Sequence, residues 1–252
     1  MNDYLARVGL TQPVELPELM WAHVQHIPFE NLSVLAGQPI LLDPDSLWKK
    51  LVTERRGGYC FEHNTLFEKL LLNLGYDLVP LQARVRRGVQ EIRPQTHKLL
   101  RVTYHGQDYL VDVGFGGEGP SQPLLWLEGK EQEFQPGIRH RLIRENDLWV
   151  LQCRHDDDPW VDLYATDNQR AYPVDYEMAN WFTSTYPDSI FVKSMLVSHH
   201  HPGGYTSLFD GLLRQRKDGI TSTTRLHQQG EILATLKSQF HLNPPSGMRV
   251  PH

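Results

Sequence analysis

The chain has 252 residues, of which 40% are apolar and 22% charged, and its formal net charge is -5. This is ordinary globular composition, and the length allows two or three packed units around a sizeable core. No run of Lys or Arg is long enough to cover a phosphate backbone, so nucleic acid is not expected as a partner. No apolar run approaches the roughly 20 residues that span a bilayer, so no membrane partner is expected.

The amino-terminal residues show neither a basic patch followed by an apolar stretch nor an Arg-rich amphipathic pattern. No export or organelle signal is visible, so we expect a cytoplasmic location. The cysteines are Cys60 and Cys153. Two cysteines are too few for a disulfide framework, and a reducing compartment would keep both as thiols.

In chain order, three segments with different sequence patterns follow one another, and together they predict an α+β protein. Residues 1–75 show helical apolar spacing, with helix-start signals at Leu16-Pro17-Glu18 and Asp43-Pro44-Asp45-Ser46. Residues 76–176 contain short runs rich in β-formers, at 99–104, 109–113 and 148–152, which predict an antiparallel sheet able to close into a small barrel. Residues 177–252 mix a helix through Trp181, hairpin signals at Asp210-Gly211 and Asp218-Gly219, and a helix over 231–240.

Cys60 is the strongest candidate for a nucleophile. Gly57 and Gly58 interrupt the preceding helix, and a new helical periodicity begins at Cys60, with one inward face formed by Cys60, Asn64, Phe67, Leu71 and Leu74. The free amides and the dipole of a helix start favour a thiolate. This position, with the charged neighbours Arg55 and Glu62, favours a nucleophile over a small buried hydrophobe. Cys153 follows an apolar strand-like run and is predicted to be structural.

A cysteine nucleophile needs an imidazole to accept its proton and a carboxylate to orient that imidazole. Among thirteen histidines, His97 opens a predicted strand, and Asp112 interrupts an apolar run, where a buried acid needs a partner. If the two strands form a hairpin closed at Gly106-Gln107, both side chains share a face but lie four residues apart, roughly 13 Å. A bulge, a bent strand end or a different turn would have to bring them together.

These residues match a known family. The segment from Arg56 to Asn64 reads Arg-Gly-Gly-x-Cys-x-Glu-x-Asn, and further matching motifs lie at 28–32, 96–97, 112–117 and 180–182. The chain thereby resembles the arylamine N-acetyltransferases over most of its length. The resemblance implies a helical domain (1–75) carrying the nucleophile, a central β-barrel domain (76–176) carrying His and Asp, and an α/β lid (177–252) around a cysteine-protease-like core. It also implies that Cys60, His97 and Asp112 form a catalytic triad.

The activity implied by the resemblance is a ping-pong transfer through an acetyl-Cys60 thioester. Acetyl-coenzyme A would be the acyl donor, acting as a co-substrate with no tightly bound cofactor, and an arylamine, hydrazine or N-hydroxyarylamine the acceptor. Phe29 and Phe115 are expected to wall the substrate pocket. Cofactor contacts are expected from Thr96, Gly114, Gly116 and Gly117, although glycines after a strand fit a plain turn equally well.

Other functions fit the same triad. Related enzymes close macrolactams from a polyketide thioester, and Cys-His-Asp hydrolases pass the acyl group to water. An inactive binding module is a third alternative. The chain stops at Pro251-His252 while family members commonly extend further, which bears on the acyl donor and on thioester hydrolysis.

Three further sequence features are not assigned to a binding site. His199, His200 and His201 are expected in a loop, where adjacent side chains diverge, so no metal site is predicted. The segment 155–159 lacks the spacing of a calcium loop and is expected to be a solvated turn. Arg214, Arg216 and Lys217 could attract the phosphates of coenzyme A or simply guard a hairpin edge.

Overall fold

A computed structural model describes residues 1–89 and 91–250; Pro251 and His252 lie outside these ranges. A π-helical turn spans Lys49–Thr53. Within the described ranges, no helix has the length and apolar character to cross a membrane. The α-helices are α1 (Asn2–Arg7), α2 (Leu16–His26), α3 (Leu32–Leu35), α4 (Pro44–Trp48), α5 (Cys60–Asn73), α6 (Pro173–Thr185), α7 (Ile190–Lys193) and α8 (Gln229–Phe240).

The strands form two antiparallel sheets. They are β1 (Phe29–Glu30), β2 (Asp77–Val85), β3 (His97–Tyr104), β4 (Gln107–Val111), β5 (Leu124–Leu125), β6 (Gln132–Gln135), β7 (Ile138–Glu145), β8 (Leu148–His155), β9 (Val161–Thr166), β10 (Leu196–His201), β11 (Gly204–Phe209), β12 (Leu212–Lys217) and β13 (Ile220–Arg225). The larger sheet has the order β5-β4-β3-β2-β9-β8-β7-β6, and its two edges are linked where the Leu125 amide donates to Gln132 Oε1 at 3.1 Å. This nearly closed barrel confirms the predicted α+β fold.

The smaller sheet has the order β1-β10-β11-β12-β13. It combines one strand from the amino-terminal part of the chain with four strands from the carboxyl-terminal part. Its first strand lies in the predicted helical segment, and Phe29 pairs with Ser198 of β10. This pairing ties the amino-terminal helices to the carboxyl-terminal sheet. The division into domains at 1–75, 76–176 and 177–252 stays a prediction.

Helix α5 begins where the sequence predicts it. The Tyr59 amide donates to Glu62 Oε2 at 3.1 Å, which caps the first turn. Of the predicted inward face, Cys60, Asn64, Phe67 and Leu71 are buried and Leu74 is half-buried. Residues 61–66 are buried as well, so the first two turns are enclosed on all sides and show no single inward face. The helix therefore turns Cys60 away from bulk water.

The β3–β4 hairpin has a different register from the one predicted. Tyr104 pairs with Gln107, and the turn consists of His105 and Gly106, whose φ values of 49° and 75° suit a tight hairpin turn. The turn assumed at Gly106-Gln107 is not formed, and of the alternatives left open the structure has a different turn. Extending the observed register places Asp112 opposite Leu99, so His97 and Asp112 are two residues apart on one face, roughly 7 Å instead of 13 Å.

The predicted hairpin turns in the second sheet are confirmed. Asp210-Gly211 and Asp218-Gly219 adopt positive φ and connect β11 to β12 and β12 to β13. The loop predicted for His199 to His201 was wrong, because these residues end strand β10. Alternation along this strand buries His200 and leaves its two neighbours half-buried.

Candidate active site

The candidate active site is centred on Cys60, the first residue of α5. Its side chain is 3% exposed, and Sγ lies 3.6 Å from the backbone oxygen of Thr96. Gly114 packs directly on this residue, since a Cβ at position 114 would stand 2.7 Å from Cys60 Cα. The thiol is thereby held between the helix start and the two chain segments that carry the imidazole and the carboxylate.

His97, the first residue of β3, connects the thiol to the carboxylate. Its Nε2 lies 2.7 Å from Asp112 Oδ2, and the ring lines the same cleft as Cys60. Burial would lower the pKa of His97, but the charge and hydrogen bond of Asp112, helped by Cys60, raise it to about 10. The imidazole is therefore a strong proton acceptor for the thiol.

Asp112 follows the last residue of β4 and is 2% exposed. Besides His97, its oxygens accept hydrogen bonds from Asn64 Nδ2 (2.9 Å), the Gly114 amide (2.9 Å) and the Tyr164 hydroxyl (3.0 Å). Burial alone would raise the pKa of Asp112, but the charge and hydrogen bond of His97 and the donors of Asn64 and Gly114 lower it. The carboxylate stays ionised and fixed in one orientation.

Two buried ion pairs support the segment before Cys60. Arg56 donates to Glu30 Oε1 at 2.8 Å, and Lys50 donates to Glu62 Oε1 at 2.6 Å. Both carboxylates are almost completely buried, so each needs its partner. The charged residues of the motif thus hold the glycine segment in place rather than face the cleft.

A cleft of about 610 Å³ opens onto Cys60 and His97. Phe29 and Phe115, the predicted pocket walls, both line it, and Phe115 packs edge-on against the His97 ring at 5.2 Å. Five phenylalanines of the described residues line the cleft: Phe29, Phe115, Phe182, Phe191 and Phe209. A flat apolar molecule would fit against these walls.

The predicted cofactor contacts are only partly brought together. Thr96, Gly114 and Gly117 line the cleft, whereas Gly116 lies behind it, against Phe29 and Ser198. At position 117, a Cβ would stand 2.5 Å from the Tyr205 ring. These glycines are required by close packing, and their role toward a cofactor stays a prediction.

Several other sequence signals acquire definite positions. Cys153 is buried in β8, and burial raises its pKa to about 12, as suits a structural thiol. Arg214 lines the cleft, whereas Arg216 is buried and donates to Asp156 Oδ2 at 2.9 Å, so it does not guard a free edge. Among the described residues, no three His, Cys, Asp or Glu side chains are placed to hold a metal ion.

Two residues of the site escaped sequence reasoning as functional groups. Tyr164 sits in β9, and its hydroxyl donates to the same Asp112 oxygen that holds His97. Asn64 was placed on the inward helix face and in the motif but given no role, yet it joins Asp112 to the Lys98 carbonyl (2.7 Å) and to the Val113 amide (3.1 Å). The available signal was chemical: a buried phenol or amide must find a partner.

Comparison with known proteins agrees with this geometry. The family model described as N-acetyltransferase matches residues 14–246. Arylamine N-acetyltransferase from Mycobacterium tuberculosis (strain H37Rv) is 38% identical, with 96% of this chain and 89% of the relative covered. The enzyme of that name from Escherichia coli (strain K12) is 35% identical, covering 96% and 88%.

Solved structures give the same result. Arylamine N-acetyltransferase from Salmonella typhimurium superposes with a TM-score of 0.89 at 33% identity, covering 96% of this chain and 90% of that one. The Mycobacterium marinum enzyme in complex with CoA gives 0.90 at 35% identity, covering 95% and 92%. The chain therefore belongs to the arylamine N-acetyltransferase family.

Proposed function

We propose that this protein transfers an acetyl group from acetyl-coenzyme A to an arylamine, hydrazine or N-hydroxyarylamine through a thioester on Cys60. The observation that carries the proposal is one arrangement at the cleft wall: Cys60 and His97 line the same cleft, and His97 is hydrogen-bonded to the buried Asp112. Names of relatives support both substrates, since one structure contains CoA and a Salmonella typhimurium relative is an N-hydroxyarylamine O-acetyltransferase.

Before the first half-reaction, the proton of Cys60 has passed to His97, which is held as an imidazolium, and Sγ then attacks the thioester carbonyl of acetyl-coenzyme A as a thiolate. The tetrahedral intermediate collapses by breaking the bond to the sulfur of coenzyme A, which leaves with the proton from His97. Asp112 stabilises the positive imidazolium during this transfer. The product is acetyl-Cys60 and free coenzyme A.

In the second half-reaction, the acceptor nitrogen, or the hydroxyl oxygen of an N-hydroxyarylamine, attacks the acetyl-Cys60 carbonyl while His97 takes a proton from that atom. The carbon–sulfur bond breaks, and the thiolate recovers the proton from His97. Apolar walls at Phe29 and Phe115 favour a flat acceptor over water, which keeps hydrolysis of the thioester slow. Thr96, Gly114 and Gly117 are proposed to contact acetyl-coenzyme A, the acyl donor.

The remaining expectations stay part of this proposal. Coenzyme A carries phosphates, and Arg87, Arg93 and Arg214 line the cleft where they could meet them. A cytoplasmic location would supply acetyl-coenzyme A and keep both cysteines reduced. The three-domain division agrees with the larger sheet lying within residues 77–166.

The test is a matrix of acyl donors and acceptors, read by release of free coenzyme A. The proposal expects sustained release only when acetyl-coenzyme A is combined with an arylamine or hydrazide, and acetylated amine in equal amount. Release that is independent of any amine would instead indicate a hydrolase.

A further inference from the structure

A continuous chain of hydrogen bonds lies behind the cleft and takes no part in the proposed chemistry. The Tyr4 hydroxyl meets His23 Nδ1 at 2.7 Å, His23 Nε2 meets His63 Nδ1 at 2.8 Å, and His63 Nε2 meets the Pro28 carbonyl at 3.1 Å. All three side chains are completely buried. The chain links α1, α2 and α5 to the residue that precedes Phe29.

The direction of this hydrogen-bond chain follows from its last member. A carbonyl oxygen only accepts, so His63 Nε2 must carry a hydrogen. Because burial lowers the pKa of His63 to about 4, its ring is neutral at pH 7 and Nδ1 is bare. His63 Nδ1 then accepts from His23 Nε2, and His23 Nδ1 accepts from Tyr4. One arrangement of protons satisfies every ring nitrogen.

The Pro28 carbonyl is also the anchor of the segment before Cys60. It accepts from the Gly58 amide at 3.3 Å, and a Cβ at Gly57 would stand 2.1 Å from it. The Glu30 amide donates in turn to the Gly58 carbonyl at 2.7 Å. Movement of this carbonyl would therefore shift both the Phe29 wall and the glycines that lead into Cys60.

We propose that Tyr4, His23 and His63 form a positioning device for acetyl transfer, which fixes the Pro28 carbonyl and through it the distance between the Phe29 wall and Cys60. The inference rests on the proposed acetyl transfer. It assigns these three residues to the second half-reaction, where a displaced wall admits water beside the thioester.

The decisive variants are His63→Leu and His63→Gln. Leucine removes both links, and we expect kcat/KM for the amine to fall about tenfold, since a misplacement near 1 Å at a reacting centre has effects of this order or more. Hydrolysis of acetyl-Cys60 should rise relative to transfer. Glutamine keeps one donor and one acceptor and should restore the ratio of transfer to hydrolysis to within about twofold of the parent.

Two matched changes separate positioning from a general loss of stability. His140→Leu removes another buried histidine, whose Nε2 donates to the Glu118 carbonyl at 2.9 Å in the barrel. It should lower Tm without changing the ratio of transfer to hydrolysis. Tyr4→Phe removes the first hydrogen bond of the series, far from the Pro28 carbonyl. Of the variants at Tyr4 and His63, it should change the ratio of transfer to hydrolysis least.

An unchanged ratio of transfer to hydrolysis in His63→Leu would overturn the inference. So would a ratio that changes in His63→Gln and in His140→Leu as much as it does in His63→Leu. If His63→Leu does not fold, ¹⁵N spectra of the unmodified protein decide. Both rings should be neutral at pH 7, with hydrogen on Nε2, and hydrogen on His63 Nδ1 would refute the chain. Absence of acetyl transfer in the unmodified protein would instead contradict the proposed function. The ¹⁵N spectra would then still test the hydrogen-bond series of Tyr4, His23 and His63 separately.

Discussion

Tyr164 donates its hydroxyl to Asp112 Oδ2, the oxygen that also holds His97 Nε2. The two donors reach this oxygen from different strands at 3.0 and 2.7 Å. Tyr164 also packs its ring 4.8 Å from that of His97. A residue of β9 thus fixes the carboxylate and the imidazole together.

Tyr164→Phe should slow acetylation of Cys60 by about threefold to tenfold, because a hydrogen bond to a charged group contributes about 1.5–3 kcal/mol, only part of it lost if water enters. Single-turnover release of coenzyme A measures this rate. Tyr176→Phe is the matched control, since its buried hydroxyl donates only to the Leu81 carbonyl at 3.1 Å. Equal rates in the two variants would remove Tyr164 from the site.

Gly114→Ala should damage both stability and acetylation. The new methyl group would meet Cys60 Cα at 2.7 Å and its carbonyl oxygen at 3.1 Å, and backbone atoms there cannot yield without moving α5. We expect a loss of about 1–3 kcal/mol in the free energy of unfolding, as overpacking usually causes. Urea unfolding measures it.

The control for this glycine is Gly230→Ala. Gly230 lies in α8, and no atom stands within 4 Å of its Cβ position. Alanine favours helix there, so this variant should be neutral or slightly more stable. Unchanged stability in Gly114→Ala would contradict the close packing described at Cys60.

The pKa shifts of the buried pair predict how stability depends on pH. His97 has its pKa raised from 6.5 to about 10, so its stabilising contribution is complete below pH 6.5 and is lost as pH rises toward 10. Asp112 has its pKa lowered, so its contribution is present above pH 3.8 and is lost as pH falls through the lower folded value.

Urea unfolding of the parent and of His97→Gln, at about pH 6, 8 and 10, tests the alkaline part. The difference in free energy of unfolding between them should shrink steadily across this range. A constant difference, or one that grows with pH, would mean that His97 is not held as an imidazolium by Asp112.

The sequence predicted the position of Cys60 because helical periodicity and paired glycines are local signals. It missed the His97–Asp112 distance because a one-residue change in a turn shifts every cross-strand pair by two residues. The turn was placed at Gly106-Gln107, although His, like Asn and Asp, is enriched among residues with positive φ, and His105 adopts this conformation. The family resemblance implied the contact between His97 and Asp112, whereas the assumed hairpin register placed the two residues too far apart.

Contacts between distant elements were beyond local patterns. Strand β9 brings Tyr164 to Asp112 only through the order of strands in the barrel. The strand containing His199, His200 and His201 was missed for a related reason, since histidines carry little apolar alternation. In that strand, pairing with β11 imposes the extended conformation.

The central claim is that Cys60 carries the acetyl group. Intact-mass measurement after incubation with acetyl-coenzyme A should show one acetyl group on the parent and on Cys153→Ala, none on Cys60→Ala, and loss of the adduct when an arylamine is added. An adduct that survives in Cys60→Ala, or a parent that turns over amine without ever carrying acetyl, would contradict the account.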